Sequence, residues 1–306
     1  MDLGYDGRLY ILAFDHRSSL EKAVVGAGVP VDAAAARMRD AKRLIFDGVL
    51  RAARRMDDPD ALGVLVDERY GADAARSARR AGITLAIAVE KSGQDVFDME
   101  YGEAFGEHID QVDPDFAKVL VRHNPQGDAE GNRVQLQRLR RVSDWLHDHD
   151  RKLLYELLVP AEPHQLDAVG GDVDRYDAEV RPGLMREAMR ATRDAGIEPD
   201  VWKIEGIERS EDCAMLADQA RSGGRDGVAC VILGRGADSG RVDHWLREAA
   251  PVDGFVGFAI GRSIWSQPVA EHLDGTATRD EVADAIADRF MRFVDVYTSA
   301  GGTDAR

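Results

Sequence analysis

The chain has 306 residues, 44% of them hydrophobic and 31% charged, which is enough to bury a large core as one α/β barrel or as two smaller domains. Its formal net charge of −16 argues against nucleic acid or an acidic membrane as a partner, because either would be repelled by the whole surface. The segment Met1 to Asp6 lacks the basic and apolar regions of a signal peptide, and no apolar run reaches membrane-spanning length. We therefore expect a cytoplasmic protein.

Short apolar runs alternate with amphipathic segments from end to end. The runs cover residues 8–14, 62–67, 84–90, 116–122, 152–158, 200–205, 228–234 and 255–261. A helix is predicted over 32–56, with Asp32 as N-cap, and the last helix opens with the capping box Thr278-Arg-Asp-Glu281. Eight strands, each followed by a helix or a long connection, predict a single-domain α/β fold, a (β/α)8 TIM barrel over residues 1–306, rather than a doubly wound sheet.

Two long stretches between the runs, 91–113 and 159–182, read as irregular. Connections of this length in a compact domain are usually functional. We expect both to form walls or lids over the mouth of the barrel.

Lysine is scarce in this sequence, since only six of the forty basic residues are lysines. Lys203 lies inside the apolar run Asp200-Val-Trp-Lys-Ile-Glu205, and Lys118 and Lys91 lie in or at the end of other runs. Unlike arginine, a desolvated lysine can be neutral near pH 7 and attack a carbonyl to form a Schiff base. The alternative interpretation is structural, with Lys118 and Lys203 paired with acids in the core.

The two-residue period of strands decides which side chains meet inside the barrel. If the faces of Lys203, Lys118, Glu156 and Asp15 point inward, two lysines and two carboxylates converge at the mouth. Burying such charges costs several kcal/mol per ion unless they are paired, so packing alone does not favour this set. The set supplies the amine nucleophile, the proton-transferring carboxylate and the additional cation that a Schiff-base aldolase needs.

Two glycine–arginine turns follow the seventh and eighth runs. In barrels of this class these turns commonly hold a phosphate through backbone N–H groups and a guanidinium. The alternative is that both are ordinary connections between strand and helix. The predicted phosphate-binding residues are Gly234, Arg235, Gly236, Gly261, Arg262 and Ser263.

These segments resemble a known family. Asp15-His-Arg-Ser-Ser19, Val66-Asp-Glu68, Trp202-Lys-Ile-Glu205 and Gly261-Arg-Ser-Ile-Trp265, with Lys118 and Glu156 on the fourth and fifth strands, look like the class I tagatose-bisphosphate and sulfofructose-phosphate aldolases. The resemblance is closer to the aldolase-like domain of bifunctional myo-inositol catabolism proteins. It extends over nearly the whole chain and includes the run Val89-Glu-Lys-Ser-Gly-Gln-Asp95.

The resemblance implies retro-aldol cleavage of 2-deoxy-5-keto-D-gluconate 6-phosphate to dihydroxyacetone phosphate and malonate semialdehyde, without a cofactor or metal. It makes Lys203 the Schiff-base lysine, Glu156 the acid/base and Lys118 a supporting cation, with Asp15 beside them. His16 stands where the tagatose and sulfofructose enzymes have glutamine, and Ser18 where they have glycine, so their substrates do not transfer directly. We expect a small phosphorylated sugar or sugar-acid substrate and a homo-oligomer. The candidates for holding the carboxylate end of the substrate are Arg17, Lys91, Arg122 and His123.

Three alternatives remain open at this point. One is a class I aldolase for another ketose phosphate, of the tagatose-bisphosphate or sulfofructose-phosphate type. Another is a carbon–carbon lyase or isomerase that depends on a divalent metal, and the third is a regulatory barrel without chemistry. The metal alternative would use strand-end carboxylates, namely Asp67, Glu68, Glu90, Glu156 and Glu205.

Overall fold

The computed structural model describes residues 2–18, 20, 21 and 31–301, in which eight parallel strands close into a barrel in chain order. The strands are β1 (Leu9–Ala13), β2 (Leu62–Asp67), β3 (Thr84–Ala88), β4 (Phe116–Arg122), β5 (Lys152–Leu158), β6 (Val201–Glu205), β7 (Ala229–Leu233) and β8 (Phe255–Ile260). Every predicted run agrees with its strand to within two residues at each end. The predicted single-domain (β/α)8 barrel is confirmed, and its extension over all of 1–306 stays a prediction.

Helices surround the strands and run back along the outside of the barrel. The longer helices of the described residues are α1 (Val31–Ala53), α2 (Glu68–Ala81), α3 (Phe105–Val112), α4 (Ala129–Asp148), α5 (Arg181–Asp194), α6 (Ser210–Arg221), α7 (Ser239–Ala249), α8 (Arg262–Leu273) and α9 (Arg279–Ser299). The predicted capping box of α9 is formed, because the Thr278 hydroxyl accepts from the Glu281 N–H and a Glu281 carboxylate oxygen accepts from the Thr278 N–H. The α1 helix agrees with the prediction over 32–56 except that it ends three residues earlier, at Ala53.

A membrane crossing would need a longer and more apolar helix than any that the described residues form.

Two apolar layers hold the barrel together. One lies between the strands and the helices, and a smaller one fills the interior of the barrel. The interior layer includes Ala13, Phe116, Leu154 and Val201, which lie two residues before Asp15, Lys118, Glu156 and Lys203. Because side chains on a strand alternate between its two faces, these four charged residues also point inward, one layer above the apolar floor.

The two stretches expected to be irregular are only partly so: residues 91–101 are irregular as expected, whereas much of 102–112 and 163–182 is helical. Residues 91–113 contain α3, which the sequence supports through Phe105 and Ile109, buried four positions apart on one helix face. Residues 159–182 contain the short helix Pro163–Ala168, a π-helical turn Tyr176–Val180 and the start of α5. Only the first of the two stretches contributes residues to the wall of the central cavity described below, as far as the described chain shows.

A buried ion pair fixes α1 to the ends of β1 and β2. The Lys42 ammonium donates to the Phe14 carbonyl oxygen at 2.8 Å and pairs with the Asp67 carboxylate, and both side chains are fully buried. The other Asp67 oxygen caps α2 by accepting from the Tyr70 N–H at 2.9 Å. Burial lowers the pKa of Lys42, and Asp67 opposes this effect.

Lys42→Met should therefore destabilise the fold by about 3–5 kcal/mol, because it leaves the Asp67 carboxylate buried without its cation. Arg43→Met is the matched control, since the neighbouring Arg43 pairs with Asp73 at the surface and exposed pairs contribute about 0–1 kcal/mol. Urea unfolding of both variants measures the difference. Equal losses in the two variants would contradict this role for the buried pair.

Candidate active site

A cavity of about 370 Å³ opens at the carboxyl ends of the strands. Catalytic sites of (β/α)8 enzymes lie at this end of the barrel, and the volume suits a small-molecule ligand. Its wall includes most of the residues that the sequence singles out, namely Asp15, Arg17, Lys91, Glu156, Lys203, Gly234, Arg235, Gly236, Gly261 and Arg262. Lys118 lies directly beneath the wall, in contact with three of its carboxylates.

Glu156 joins the two buried lysines. One of its carboxylate oxygens lies 2.9 Å from the Lys203 ammonium and 2.9 Å from the Lys118 ammonium. Strand register explains the contact, because Glu156 and Lys203 are direct neighbours across β5 and β6. The charged side chains meet at the mouth of the barrel as predicted. The alternative interpretation, in which both lysines pair with acids in the core, is compatible with the same contacts.

Lys118 contacts two further carboxylates. Its ammonium donates to Asp15 at 2.7 Å and to Glu90 at 3.1 Å, in addition to the contact with Glu156. All four side chains are at least nine-tenths buried. Asp15 follows β1, Glu90 follows β3 and Glu156 lies on β5, so one cation connects strand ends from half of the barrel.

The shared cation affects the three acids differently. Burial opposes the charge on Lys118, but Asp15, Glu156 and Glu90 outweigh it and raise the pKa of Lys118 well above its usual value. Burial also opposes ionisation of Asp15 and Glu156, yet Lys118 holds the pKa of both below their usual range, with Lys203 assisting. The pKa of Glu90 is raised, because burial and the neighbouring acids outweigh Lys118 and Arg17. Glu90 is therefore the acid of the cluster that most readily carries a proton.

Arg17 is held by acids rather than free to bind a ligand. Its guanidinium donates to the Glu90 carbonyl oxygen at 2.6 Å, to the Glu90 carboxylate at 3.2 Å and to Glu100 at 3.1 Å. It lines the cavity as predicted, but its charge is already compensated by two carboxylates. As a binding group for a substrate carboxylate, Arg17 is weaker than the sequence suggested.

The two predicted glycine–arginine turns lie side by side. The Arg262 guanidinium donates to the Arg235 carbonyl oxygen at 3.3 Å, and the Ser263 hydroxyl donates to the Ala237 carbonyl oxygen at 2.7 Å. Gly236 has a φ of +73°, and a Cβ there would lie 3.0 Å from the Arg262 guanidinium carbon, so the turn favours glycine at this position. Ser263 joins the turns but does not line the cavity.

Arg235 and Arg262 differ in their surroundings. Arg235 pairs with Asp177 at 2.7 Å and with Glu205 at 3.3 Å, which compensates its charge. Arg262 is exposed at the cavity and has no carboxylate partner within the described chain. Among the residues that the structure describes, none accepts from the backbone N–H groups of Gly236, Arg262 and Ser263. An anion at these turns would therefore be held by Arg262 and the backbone.

Lys91 follows β3 and Arg122 ends β4, and both lie across the cavity from these turns, because β3 and β4 are opposite β7 and β8 in an eight-stranded barrel. Lys91 is exposed and has no acid partner among the described residues, and Arg122 donates to the Gln94 carbonyl oxygen at 3.0 Å. His123 is 2% exposed and does not line the cavity, and burial lowers its pKa to about 4. It is neutral at pH 7, so the expectation that it could act as a cation there is wrong.

Comparison with known proteins places the chain in a family. The family model described as "Uncharacterized protein conserved in bacteria (DUF2090)" matches residues 5–301. The chain belongs to this family. No curated protein matches the sequence.

Solved structures resemble this DUF2090 chain in fold. A fructose-bisphosphate aldolase from Plasmodium falciparum has a TM-score of 0.68 at 12% identity, over 95% of this chain and 90% of its own. A protein from Corynebacterium glutamicum has a TM-score of 0.61 at 17% identity, over 96% of this chain and 88% of its own. A Schiff-base-forming fructose-1,6-bisphosphate aldolase has a TM-score of 0.55 at 17% identity, over 92% and 94% of the two chains. At these identities the likeness establishes the barrel alone.

The carboxylates that could have held a metal in the DUF2090 chain each contact a basic group. Asp67 pairs with Lys42, Glu68 with His108 at 2.8 Å, and Glu205 with Arg181 at 3.1 Å. Glu90 and Glu156 share Lys118. No group of three metal-binding side chains occurs in the described part of the chain. Each carboxylate of that set would have to give up an ion pair or, at Glu68, the hydrogen bond to His108 before it could act as a free ligand.

Sequence reasoning missed three parts of the site. Glu90 entered only as a possible metal ligand, although it lies four residues after the inward-facing Ala86 and the strand period points it into the barrel. The support of Arg235 by Asp177 had no local signal, because 58 residues separate the two. His16 was noted as a departure from the resembling aldolases, and it lies in the cavity wall.

Lys118→Met should destabilise the protein by about 3–5 kcal/mol at pH 8 and by less at pH 5. Without the ammonium, the pKa values of the three buried carboxyls rise above those of the unfolded chain. The loss of stability then grows as the pH rises through these raised values. Urea unfolding at the two pH values measures the effect.

Adding Glu90→Gln to the Lys118→Met variant should recover part of the stability at pH 8, because it removes one of the repelling charges. A loss that is equal at both pH values, with no recovery in the double variant, would show that the carboxylates do not depend on Lys118.

Proposed function

We propose that this chain is a class I aldolase, in which Lys203 forms a Schiff base with the ketone of a phosphorylated sugar or sugar acid. The proposal rests on a chain of buried contacts at the cavity, at the carboxyl ends of the strands. Glu156 contacts both Lys203 and Lys118, and Lys118 also contacts Asp15. A stability-only arrangement would rarely place four charged groups there, because each ion costs several kcal/mol to desolvate.

Lys203 supplies the nucleophile. Its ammonium must lose a proton before it attacks a carbonyl carbon, and the Glu156 carboxylate is 2.9 Å away to accept that proton. Lys118 is surrounded by three carboxylates and keeps its charge, which suits it to polarise oxygen rather than to attack. These contacts favour Lys203 over Lys118 as the lysine that forms the imine.

Glu156 transfers protons in the later steps. After the imine forms with loss of water, cleavage requires a proton to leave the hydroxyl two carbons from the imine carbon. The electrons of the broken carbon–carbon bond move into the imine to give an enamine, which then takes up a proton before hydrolysis. Lys118, which is itself held by Asp15, orients Glu156 through these steps.

The phosphate of the substrate is proposed to bind at the turns after β7 and β8. Arg262 supplies an uncompensated guanidinium, and Gly236, Arg262 and Ser263 supply backbone N–H groups. Gly234 and Gly261 form the rest of the cradle, and Arg235 supports it through Asp177 and Glu205. The wider role of these turns in barrel enzymes supports this assignment.

Within this class of substrate, we propose 2-deoxy-5-keto-D-gluconate 6-phosphate, cleaved to dihydroxyacetone phosphate and malonate semialdehyde. The resemblance to the aldolase-like domain of the bifunctional inositol-catabolism proteins supports this choice. Lys91 and Arg122, across the cavity from the phosphate turns, suit a substrate with a carboxylate at its other end. The alternative is a different ketose phosphate, and the fructose-bisphosphate aldolases of similar fold are compatible with both.

Borohydride reduction with dihydroxyacetone phosphate should add one adduct at Lys203, because reduction traps an imine as a stable amine. Peptide mass spectrometry locates the adduct, and EDTA should not affect its formation. Lys203→Arg should abolish the adduct, whereas Lys152→Arg, at the opposite end of the barrel strands, should not. An adduct at Lys118 or Lys91 would overturn the assignment of the nucleophile, and a loss of activity in EDTA would favour the metal-dependent alternative.

Glu156→Gln should still form the adduct, although more slowly, but lose about 10²–10⁴-fold in turnover, because the amide can accept a proton neither from Lys203 nor from the substrate hydroxyl. Steady-state kinetics and trapping on the same preparation separate the two steps. Turnover close to that of the native enzyme would transfer the acid/base role to another carboxyl, with Glu90 and Asp15 as the nearest.

Lys91→Met should lower kcat/KM for the carboxylate substrate by about tenfold to a hundredfold. This factor corresponds to the free energy of one charge-assisted hydrogen bond. It should barely affect fructose 1-phosphate or tagatose 1,6-bisphosphate cleavage, if either occurs. Arg17→Met should instead impair all substrates alike, because Arg17 holds Glu90 and Glu100. If the native enzyme prefers a bisphosphate or an uncharged tail, the proposed substrate fails while the aldolase mechanism stands.

A further inference from the structure

His16 is fixed beside the proposed phosphate turns. Its ring lies edge-on to Trp265, with 5.3 Å between ring centroids, and Trp265 is anchored by its indole N–H, which donates to the Ala13 carbonyl oxygen at 2.9 Å. A Cβ on residue 261 would lie 3.0 Å from the His16 ring and 2.3 Å from that carbonyl oxygen. Gly261 thus makes room for the imidazole at the start of α8, next to Arg262.

The hydrogen bonds of this imidazole are incomplete within the described chain. The buried Nδ1 has no hydrogen-bond partner, and its nearest acid is the Asp15 carboxylate at 3.7 Å. The ring lines the cavity, and 24% of the side chain is exposed. None of the described residues forms a hydrogen bond with Nε2. A buried ring nitrogen without a partner is costly and calls for a missing interaction.

Opposing charges surround the ring. Asp15 and, from β5, Glu156 favour the imidazolium, whereas Arg262 on α8 and Lys203 on β6 disfavour it. Burial has the largest effect and, with the two cations, lowers the pKa of His16 to about 4. The ring is therefore neutral near pH 7 while the cavity holds no anion.

We propose that His16 is a further donor of the phosphate subsite, and that it takes up a proton when the phosphate group of the substrate binds. The anion would compensate Arg262 and add its own attraction, and both changes favour the imidazolium. The charged ring then donates from Nε2 to the phosphate, and its Nδ1 forms an ion pair with Asp15 across 3.7 Å, so both nitrogens gain a favourable interaction. This inference rests on the phosphate subsite of the proposed function but not on the aldol chemistry.

Anion binding and proton uptake by His16 should favour each other. A bound anion raises the pKa of His16, so the bound state holds more protons than the free state between the two pKa values. Affinity for a tetrahedral dianion should then increase as the pH falls, by up to about tenfold per pH unit in that window. A neutral donor without proton uptake would give no such slope.

Sulfate is the appropriate probe, because its charge is constant between pH 5 and 8 whereas that of a phosphate monoester is not. NMR titration of the histidine ring protons, with and without sulfate at matched ionic strength, follows His16, whose signal is assigned by its absence in His16→Gln. Sulfate should raise the pKa of His16 by about two units or more, and the ring signals of the exposed His164 should not change when sulfate is added.

The affinity for sulfate provides the second readout. His16→Gln should weaken binding at pH 5.5 by about fivefold or more and abolish its pH dependence, since glutamine donates but takes up no proton. His164→Gln, in the short helix Pro163–Ala168, should behave as the native protein. His16→Asn replaces His16→Gln if the latter folds poorly, as judged by thermal unfolding.

Arg262→Met separates this inference from the proposal on which it rests. One possible result is that Arg262→Met abolishes sulfate binding while sulfate leaves the His16 titration of the native protein unchanged. That result would support the phosphate subsite and overturn the role of His16. If sulfate does not bind, or binds equally well to Arg262→Met, both the subsite and this inference fail. Borohydride trapping at Lys203 tests the aldol chemistry independently of either result.

Discussion

The contact of Lys118 with three carboxylates is the interaction on which the mouth of the barrel depends. Asp15, Glu90 and Glu156 come from three different strand ends and would repel one another if the ammonium were absent. The cluster also extends to the proposed nucleophile, because Glu156 contacts Lys203 as well as Lys118. The cation that stabilises the fold at this end is therefore the same one that positions the carboxylate facing the proposed nucleophile.

The cations around the cavity fall into two groups. Lys118, Arg17 and Arg235 each contact at least two acids, and their charges are largely used in holding the walls. Arg262 and Lys91 have no acid partner in the part of the chain that the structure describes, and they lie on opposite sides of the cavity. A guanidinium neutralised by two carboxylates attracts an anion weakly, so ligand binding falls to the second group. That division is compatible with the proposed substrate, which would carry an anionic group at each end.

Much of this arrangement could be predicted from the sequence, because strands impose a simple geometry. A period of two places Lys203, Lys118, Glu156 and Asp15 on the inward face once their apolar neighbours are recognised as the barrel floor. The closed barrel then brings strand ends together regardless of their distance in sequence. The eight strands were identified for the same reason, since each is a short apolar run between longer amphipathic segments.

The rest depended on contacts that no local pattern encodes. The compensation of Arg17 by Glu100 and of Arg235 by Asp177 joins loops whose conformation the sequence does not reveal. The α3 helix was missed because it has only two turns and follows a loop rich in glycine and polar residues. The state of His16 depends on burial and on charges from three other strands or helices, so its residue type alone could not predict it.

The central claim is that Lys203 bonds the ketone while the turns after β7 and β8 hold the phosphate. The most direct measurement is a crystal structure of the protein frozen after soaking with dihydroxyacetone phosphate. The account predicts continuous density from Lys203 Nζ to the ketone carbon, with Glu156 alongside and the phosphate within hydrogen-bonding distance of Gly236 and Arg262. Density joined to a different lysine, or a phosphate near Lys91 with the Lys203 to Glu156 ion pair still intact, would contradict it.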